Sequence, residues 1–377
     1  MNIIDPIFRA FVNGMMKRRK IVETDSVLSL REGNYNKLLL PGCICSDGKP
    51  AKLYLWPGSE KDLMISFNGG GAALTPEDCR HPMLASSFVL GRPTLYSPNA
   101  EEIYEYGFYR MEDNGIQSPL PSNPFAAWSK AILPYVSADF HTGTADVPYT
   151  DAKGKQQILH FHGYLNFCAA MAEVKKRWPA PERILITGSS AGSFGTSALA
   201  GKIVDLYPDC DNITVYCDSS YMPVEHWREI ADDFWKCPKE IAAPVHTDDI
   251  CGDWLEALSK QYGDRIKLLY GCSTRDFILA KFSGYEHTGR FETSEEWLQR
   301  MEDGFRARIE RFEKAGVEIF YYVNAVSDKD SGSGTVHCIS QDKKWHETTV
   351  DGVTPAQWVM DAVEGRCRHV GMELLRQ

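Results

Sequence analysis

A mostly parallel α/β sheet with helices on both faces is the fold class that this sequence predicts. Short apolar runs alternate with helical patterns along the chain, and the runs are continuous instead of alternating with polar residues. Strands separated by helices are joined by crossovers and therefore run parallel. A strand buried on both faces has no polar face to display. A chain of 377 residues, 43% hydrophobic and 24% charged, can bury a large core and is neither disordered, coiled-coil nor collagen-like.

The elements follow in order within a single domain, residues 1–377, whose first 50 residues form an N-terminal extension. Residues 52–56 and 63–67 read as early strands, and 184–187, 213–216, 266–270 and 317–323 as later ones. Helical patterns occupy residues 193–207, 224–235, 248–262, 293–315 and 353–364, the last with Thr354-Pro355 as cap and first turn. Residues 95–128 form a long polar insertion of the kind that caps a pocket. Tyr106-Gly107-Phe108-Tyr109 and Trp128 within it suggest sugar stacking or acyl lining. Trp358 reads as a packing anchor of the last helix.

Charge and cysteines bound the partners and the compartment. Lys+Arg 41 against Asp+Glu 51 leaves a net charge of −10. With no basic run longer than Lys17-Arg18-Arg19-Lys20, neither nucleic acid nor an anionic membrane is expected as a partner. The first residues are acidic at Asp5 and interrupted by Pro6, Arg9 and Asn13, unlike a secretory leader. A cytoplasmic location is therefore expected, in which the 11 cysteines are mostly reduced and buried. Cys43-x-Cys45 is the only close pair, so a four-thiolate zinc site is not expected.

The most informative segment is Gly188-Ser189-Ser190-Ala191-Gly192, a G-x-S-x-G turn between a strand and a helix. Such an elbow holds its serine in a strained conformation with Oγ above the sheet, and glycines flank it because a Cβ would strike its neighbours. Ser190 is the candidate nucleophile, and the amide of Ala191, at the helix start, can donate to an oxyanion. Ser189 sits where the turn points it away. Asn68-Gly69-Gly70-Gly71-Ala72-Ala73 follows the strand 63–67, where lipases and esterases carry an oxyanion loop, so Gly70 and Gly71 join Ala191 as candidate donors. No Gly-Lys-Ser/Thr follows, which excludes a P-loop.

In an α/β-hydrolase the serine is followed in the chain by an acid and then a histidine. Asp276, in the loop after strand 266–270, is the candidate acid, with Asp218 after strand 213–216 as the alternative. His337, beyond the last strand on a glycine-loosened loop, is the candidate base, while His346 and His369 read as solvated. His160-Phe161-His162 places two imidazoles on one face of a strand-like stretch, a possible two-His metal arm. Asp139 and His141 lie upstream, but no clear third ligand presents itself, so a hydrogen-bonded structural role is expected. No metal and no cofactor are assigned.

With these residues in hand, the sequence resembles the pectin acetylesterase/Notum family of α/β-hydrolase esterases. The family elbow G-x-S-A-G-G-x-G is similar to Gly188 through Gly195, with Ser193 in place of one glycine. Its GGGWC loop is similar to Gly69-Gly70-Gly71-Ala72-Ala73, and its Asp-Ser-Gly strand end to Asp218-Ser219-Ser220. His162-Gly163-Tyr164-Leu165-Asn166 resembles the His-Gly-x-x-Asn of bacterial members, and the segment from Tyr135 to Gly143 resembles another family block. The resemblance implies an α/β-hydrolase fold, a serine carboxylic-ester hydrolase with Asp276 and His337 as acid and base, and a shaping role for Asp218. It implies removal of O-acetyl groups from a carbohydrate, with a small-molecule or oligosaccharide ester as partner. Ala72 and Ala73 replace the family's Trp and Cys, and Leu279 stands where plant members have Gln, so the substrate pocket differs.

A catalytically silent binding protein of the same fold and an esterase for longer acyl chains are the alternatives.

Overall fold

The computed structural model describes residues 21–89, 91–100, 115–327, 329 and 331–376. Eleven strands are present among them: β1 (Ile21–Thr24), β2 (Tyr35–Ile44), β3 (Pro50–Trp56), β4 (Ser59–Phe67), β5 (Trp128–Leu133), β6 (Ala145–Thr150), β7 (Gln156–Phe161), β8 (Arg183–Ser189), β9 (Asn212–Asp218), β10 (Ile266–Ser273) and β11 (Phe320–Asn324). Nine form one sheet in the order β1-β2-β3-β5-β4-β8-β9-β10-β11, and β6 and β7 form a separate antiparallel hairpin. Only β3 runs against its neighbours; every other contact in the large sheet is parallel.

Side-chain alternation divides the core between the two faces. Leu63, Ile65, Ile184, Ile186, Ile213, Val215, Leu268 and Tyr270 pack on one face with the helices Gly163–Arg177, Ala191–Leu206, Ile250–Tyr262 and Glu295–Ala315. Met64, Leu185, Tyr216 and Leu269 pack on the other with Trp345 and the helix Pro355–Val363. This double burial explains why the strands read as continuous apolar runs. Trp358, fully buried, anchors the last helix, with its indole donating to the Arg368 carbonyl at 2.7 Å.

The structure corrects several expectations. Trp128 opens β5, 3% exposed, with the Arg183 guanidinium 5.2 Å from its ring. It pairs with Ser59 at the start of β4, the end of the strands opposite the glycine loop, so it cannot stack on a substrate held at that loop. Tyr106-Gly107-Phe108-Tyr109 lie outside the described residues, as do the first 20 residues and the basic run within them. The helical pattern at 224–235 shortens to Trp227–Glu229 followed by a π turn, Ile230–Phe234. His346 is half-buried, not solvated, whereas His369 is exposed and lies against Tyr321. None of the 11 cysteines is in a disulfide, and eight of them are buried.

Candidate active site

At the carboxyl end of β8 the chain turns sharply into the helix Ala191–Leu206, and Ser190 occupies the corner at φ 55°, ψ −130°. A side chain at positive φ carries strain of about 1–3 kcal/mol and persists only where its surroundings dictate it. The Ser190 amide donates to the Asp218 carbonyl at 2.9 Å, and the Ser190 carbonyl accepts from Ser193 at 2.8 Å. The glycines are as close as the elbow requires. A Cβ on Gly188 would lie 2.2 Å from the Gly192 carbonyl oxygen, and one on Gly192 would lie 2.0 Å from that of Phe67. Ser189 faces away, its Oγ accepting from Gln341.

The glycine loop after β4 passes directly over this corner. A Cβ on Gly69 would come 2.7 Å from Ser190 Cβ, so Gly69 approaches the serine closely. Gly71 has φ +76°, and a Cβ there would lie 1.8 Å from the Leu95 carbonyl oxygen. The amides of Gly69, Gly70, Gly71 and Ala191 have no hydrogen-bond acceptor among the described residues. Gly69 was not among the expected donors; its closeness to Ser190 depends on how the loop folds across β8.

From below, the loop is held by the segment Tyr135 to Gly143. His141 Nε2 lies 3.0 Å from the Asn68 carbonyl, and Asp139 accepts from Ser137 Oγ and from the amides of Gly143 and Gly163. Burial pulls the His141 pKa down to about 4 and pushes that of Asp139 up to about 6, the latter against its hydrogen bonds. His141 is therefore neutral at pH 7, with Nε2–H donating to Asn68.

Asp276 sits past the end of β10 and caps the helix Phe277–Thr288. Its Oδ1 accepts from the amides of Ile278 and Leu279 at 3.1 and 3.0 Å. Its Oδ2 lies 2.7 Å from His337 Nδ1. The two are brought together by a stitched pair of segments: Thr335 donates to the Arg275 carbonyl at 2.9 Å, and Phe277 to the Thr335 carbonyl at 3.2 Å. On either side of His337, Ser273 Oγ donates to the Val336 carbonyl at 2.6 Å and the Cys338 amide donates to Ser219 Oγ at 3.1 Å. The carboxylate holds the proton on Nδ1 and leaves Nε2 to accept one. Burial lowers the His337 pKa, but the charge and hydrogen bond of Asp276, with the more distant Asp218, outweigh it and raise the pKa above the ordinary value. No hydrogen bond joins Ser190 Oγ to His337 among the described residues.

Asp218, the alternative acid, is fully buried and spends both oxygens elsewhere. Oδ2 accepts from the Ser340 amide at 2.9 Å and Ser340 Oγ at 2.5 Å, and Oδ1 from Ser219 Oγ at 3.1 Å. It fixes the segment that follows His337. On the hairpin, His160 and His162 share a face, as their spacing predicts, and both meet Asp146, a partner the sequence reading missed. Its signal is the strand register, which pairs Asp146 with His160. Asp139 and His141 turn inward and do not join them.

A family model described as pectinacetylesterase matches residues 35–224, half of the chain. The match contains the glycine loop, the elbow and Asp218, and ends before Asp276 and His337. No curated protein matches the chain significantly.

Proposed function

The chain belongs to the pectinacetylesterase family, and from that premise we propose that it is a serine acetylesterase of α/β-hydrolase fold that removes O-acetyl groups from a carbohydrate. Family membership makes it a carboxylic ester hydrolase. The observation that carries the finer reading is the 2.7 Å contact of His337 with Asp276, two residues from separate loops beyond the strand ends, in a chain whose Ser190 stands at a strained elbow.

In this reading Ser190 Oγ attacks the acetyl carbonyl carbon while His337 Nε2 takes the hydroxyl proton. The carbonyl oxygen becomes an oxyanion and is met by amides of Ala191 and of the Gly70-Gly71 loop, which have no acceptor of their own among the described residues. One such donor is worth about 3–4 kcal/mol in the transition state. Asp276 keeps the imidazole oriented and stabilises its charged form. Collapse returns the proton from Nε2 to the sugar oxygen, leaving an acetyl ester on Ser190. Water, deprotonated by the same nitrogen, then hydrolyses that ester.

One observation favours a second reading, a catalytically silent binding protein of the same fold: Ser190 and His337 are not hydrogen-bonded. Catalytic hydrogen bonds are often long before substrate arrives, so the point needs a reactivity measurement. A fluorophosphonate probe is expected to label the wild type and Ser189→Ala but not Ser190→Ala. Unlabelled wild type, or equal labelling of Ser190→Ala, sinks the serine-esterase reading. Rates on 4-nitrophenyl acetate through octanoate then size the pocket, and a preference for octanoate overturns the deacetylase assignment in favour of a longer-chain carboxylesterase.

A further inference from the structure

On the β6–β7 hairpin, antiparallel register sets Asp146 directly opposite His160, and His162 lies two residues further along the same face. His160 Nδ1 is 2.6 Å and His162 Nε2 2.9 Å from one and the same oxygen, Asp146 Oδ1. The rings meet edge to face with centroids 5.3 Å apart. One ligand atom from each of the three residues falls within 4.8 Å of the others. The imidazoles are mostly covered, 19% and 17% exposed, whereas the carboxylate is 57% exposed and open to solvent.

We propose that Asp146, His160 and His162 form a site for a divalent transition-metal ion, best suited to Zn2+, independent of the ester-hydrolysing residues. Two imidazoles with one carboxylate suit Zn2+ and its neighbours in the first transition series. Mg2+ and Ca2+, which take mostly oxygen ligands, are disfavoured. Bonds of about 2.0–2.1 Å in tetrahedral geometry hold ligand atoms about 3.3 Å apart. Asp146 Oδ1, now 2.6 and 2.9 Å from the two ring nitrogens, therefore has to retreat by about 0.7 and 0.4 Å, which an exposed side chain can do by rotating about its χ bonds. The ion takes the place of the protons now shared with Asp146, and water fills the fourth position. His162 directly precedes the helix Gly163–Arg177, and the Gly163 amide donates to Asp139 at 2.9 Å. An ion here therefore ties the hairpin to the segment that braces the glycine loop.

The test uses the full chain, stripped with a chelator and titrated with Co2+ and then Zn2+. One equivalent of Co2+ is expected to bind with the visible absorption of a tetrahedral centre, to be displaced by Zn2+, and Zn2+ is expected to raise the melting temperature. Asp146→Asn keeps the size and exposure of the side chain and should fold, yet weaken Co2+ binding at least about tenfold. His160→Ala/His162→Ala should abolish it. Failure of the stripped wild type to take up a stoichiometric ion, or unchanged binding by the double variant, overturns the proposal. Serine labelling by the fluorophosphonate probe should persist in the stripped protein, so the two readings fail separately.

Discussion

Ser193 Oγ donates to Ser220 Oγ at 2.7 Å, beneath the elbow and fully buried. Both serines stand where the resembled family pattern has glycine, one in the helix after Ser190 and the other two residues past the end of β9. The two departures are thus partners: each hydroxyl supplies what the other needs in a site without water access, and the Ser220 hydroxyl also lies 3.1 Å from Cys251 Sγ. A buried hydroxyl without a partner costs about 1–3 kcal/mol. A double-mutant cycle with Ser193→Ala and Ser220→Ala should therefore return a coupling of about 1 kcal/mol in urea unfolding. Strictly additive effects would show that the contact contributes nothing.

Asp276 and Asp218 separate by what each carboxylate holds. Asp276→Asn keeps the size of the side chain but can present an amide N–H to His337, which favours the wrong tautomer. The expected loss in kcat is about 10⁴-fold with little change in melting temperature. Asp218→Asn weakens the acceptor for the Ser340 amide and hydroxyl, so its main effect should be on stability. Measuring both properties on both variants decides the matter, and a reversed pattern would exchange their roles.

In the proposed reaction only deprotonated His337 accepts the serine proton, so kcat/KM should fall as pH drops through its pKa. Because Asp276 and Asp218 outweigh the effect of burial and raise that pKa, the acidic limb should lie above the ordinary histidine value of about 6.5. Asp276→Asn removes the larger of the two raising charges while burial still favours the neutral ring. In that variant the limb of the residual activity should move to lower pH. A wild-type limb at or below about 6.5 would contradict the pairing.

What could be read in advance was whatever chemistry is local in sequence. The elbow is legible because strand, glycines, serine and helix lie within a few residues, and the same holds for the glycine loop. Asp276 and His337 were each marked by a position after a strand, although 61 residues separate them. Asp218 stayed an open alternative because its partner Ser340 is 122 residues away and carries no motif. β5 was hidden by Ser129 and Lys130, polar residues in a strand whose six positions are all buried. Asp146 was missed because hairpin pairing, not spacing along one strand, delivers it to His160.

The cysteines offer a direct count. None is in a disulfide, and burial raises the pKa of the thiols of Cys79 and Cys237 to about 12, so they stay protonated in the folded protein. Denatured, unreduced protein should give 11 titratable thiols, whereas the native protein should react fastest at Cys168, the exposed one. A markedly lower count in the denatured state would mean that disulfides form in the isolated protein.

Lys130 is the least conventional member of the core. It lies in β5 between Trp56 of β3 and Met64 of β4, is fully buried, and has no carboxylate partner among the described residues. Its Nζ donates to the carbonyls of Ala126 at 3.1 Å and Trp128 at 3.3 Å. Burial pulls its pKa down to about 7, against about 10.4 for an unfolded chain. Between those values the unfolded state binds the proton and the folded state does not, so folding becomes more favourable as pH rises. The gain is at most about 1.4 kcal/mol per pH unit and fades above about pH 10. Other groups titrate in the same range, which makes the comparison with Lys130→Met the informative one. At pH 6 the variant, freed of a buried charge, should match or exceed the wild type in urea unfolding. By pH 10 the neutral amine keeps its two hydrogen bonds at no electrostatic cost, and the wild type should be ahead. A stability difference that does not change with pH would mean that Lys130 is not held neutral by its surroundings.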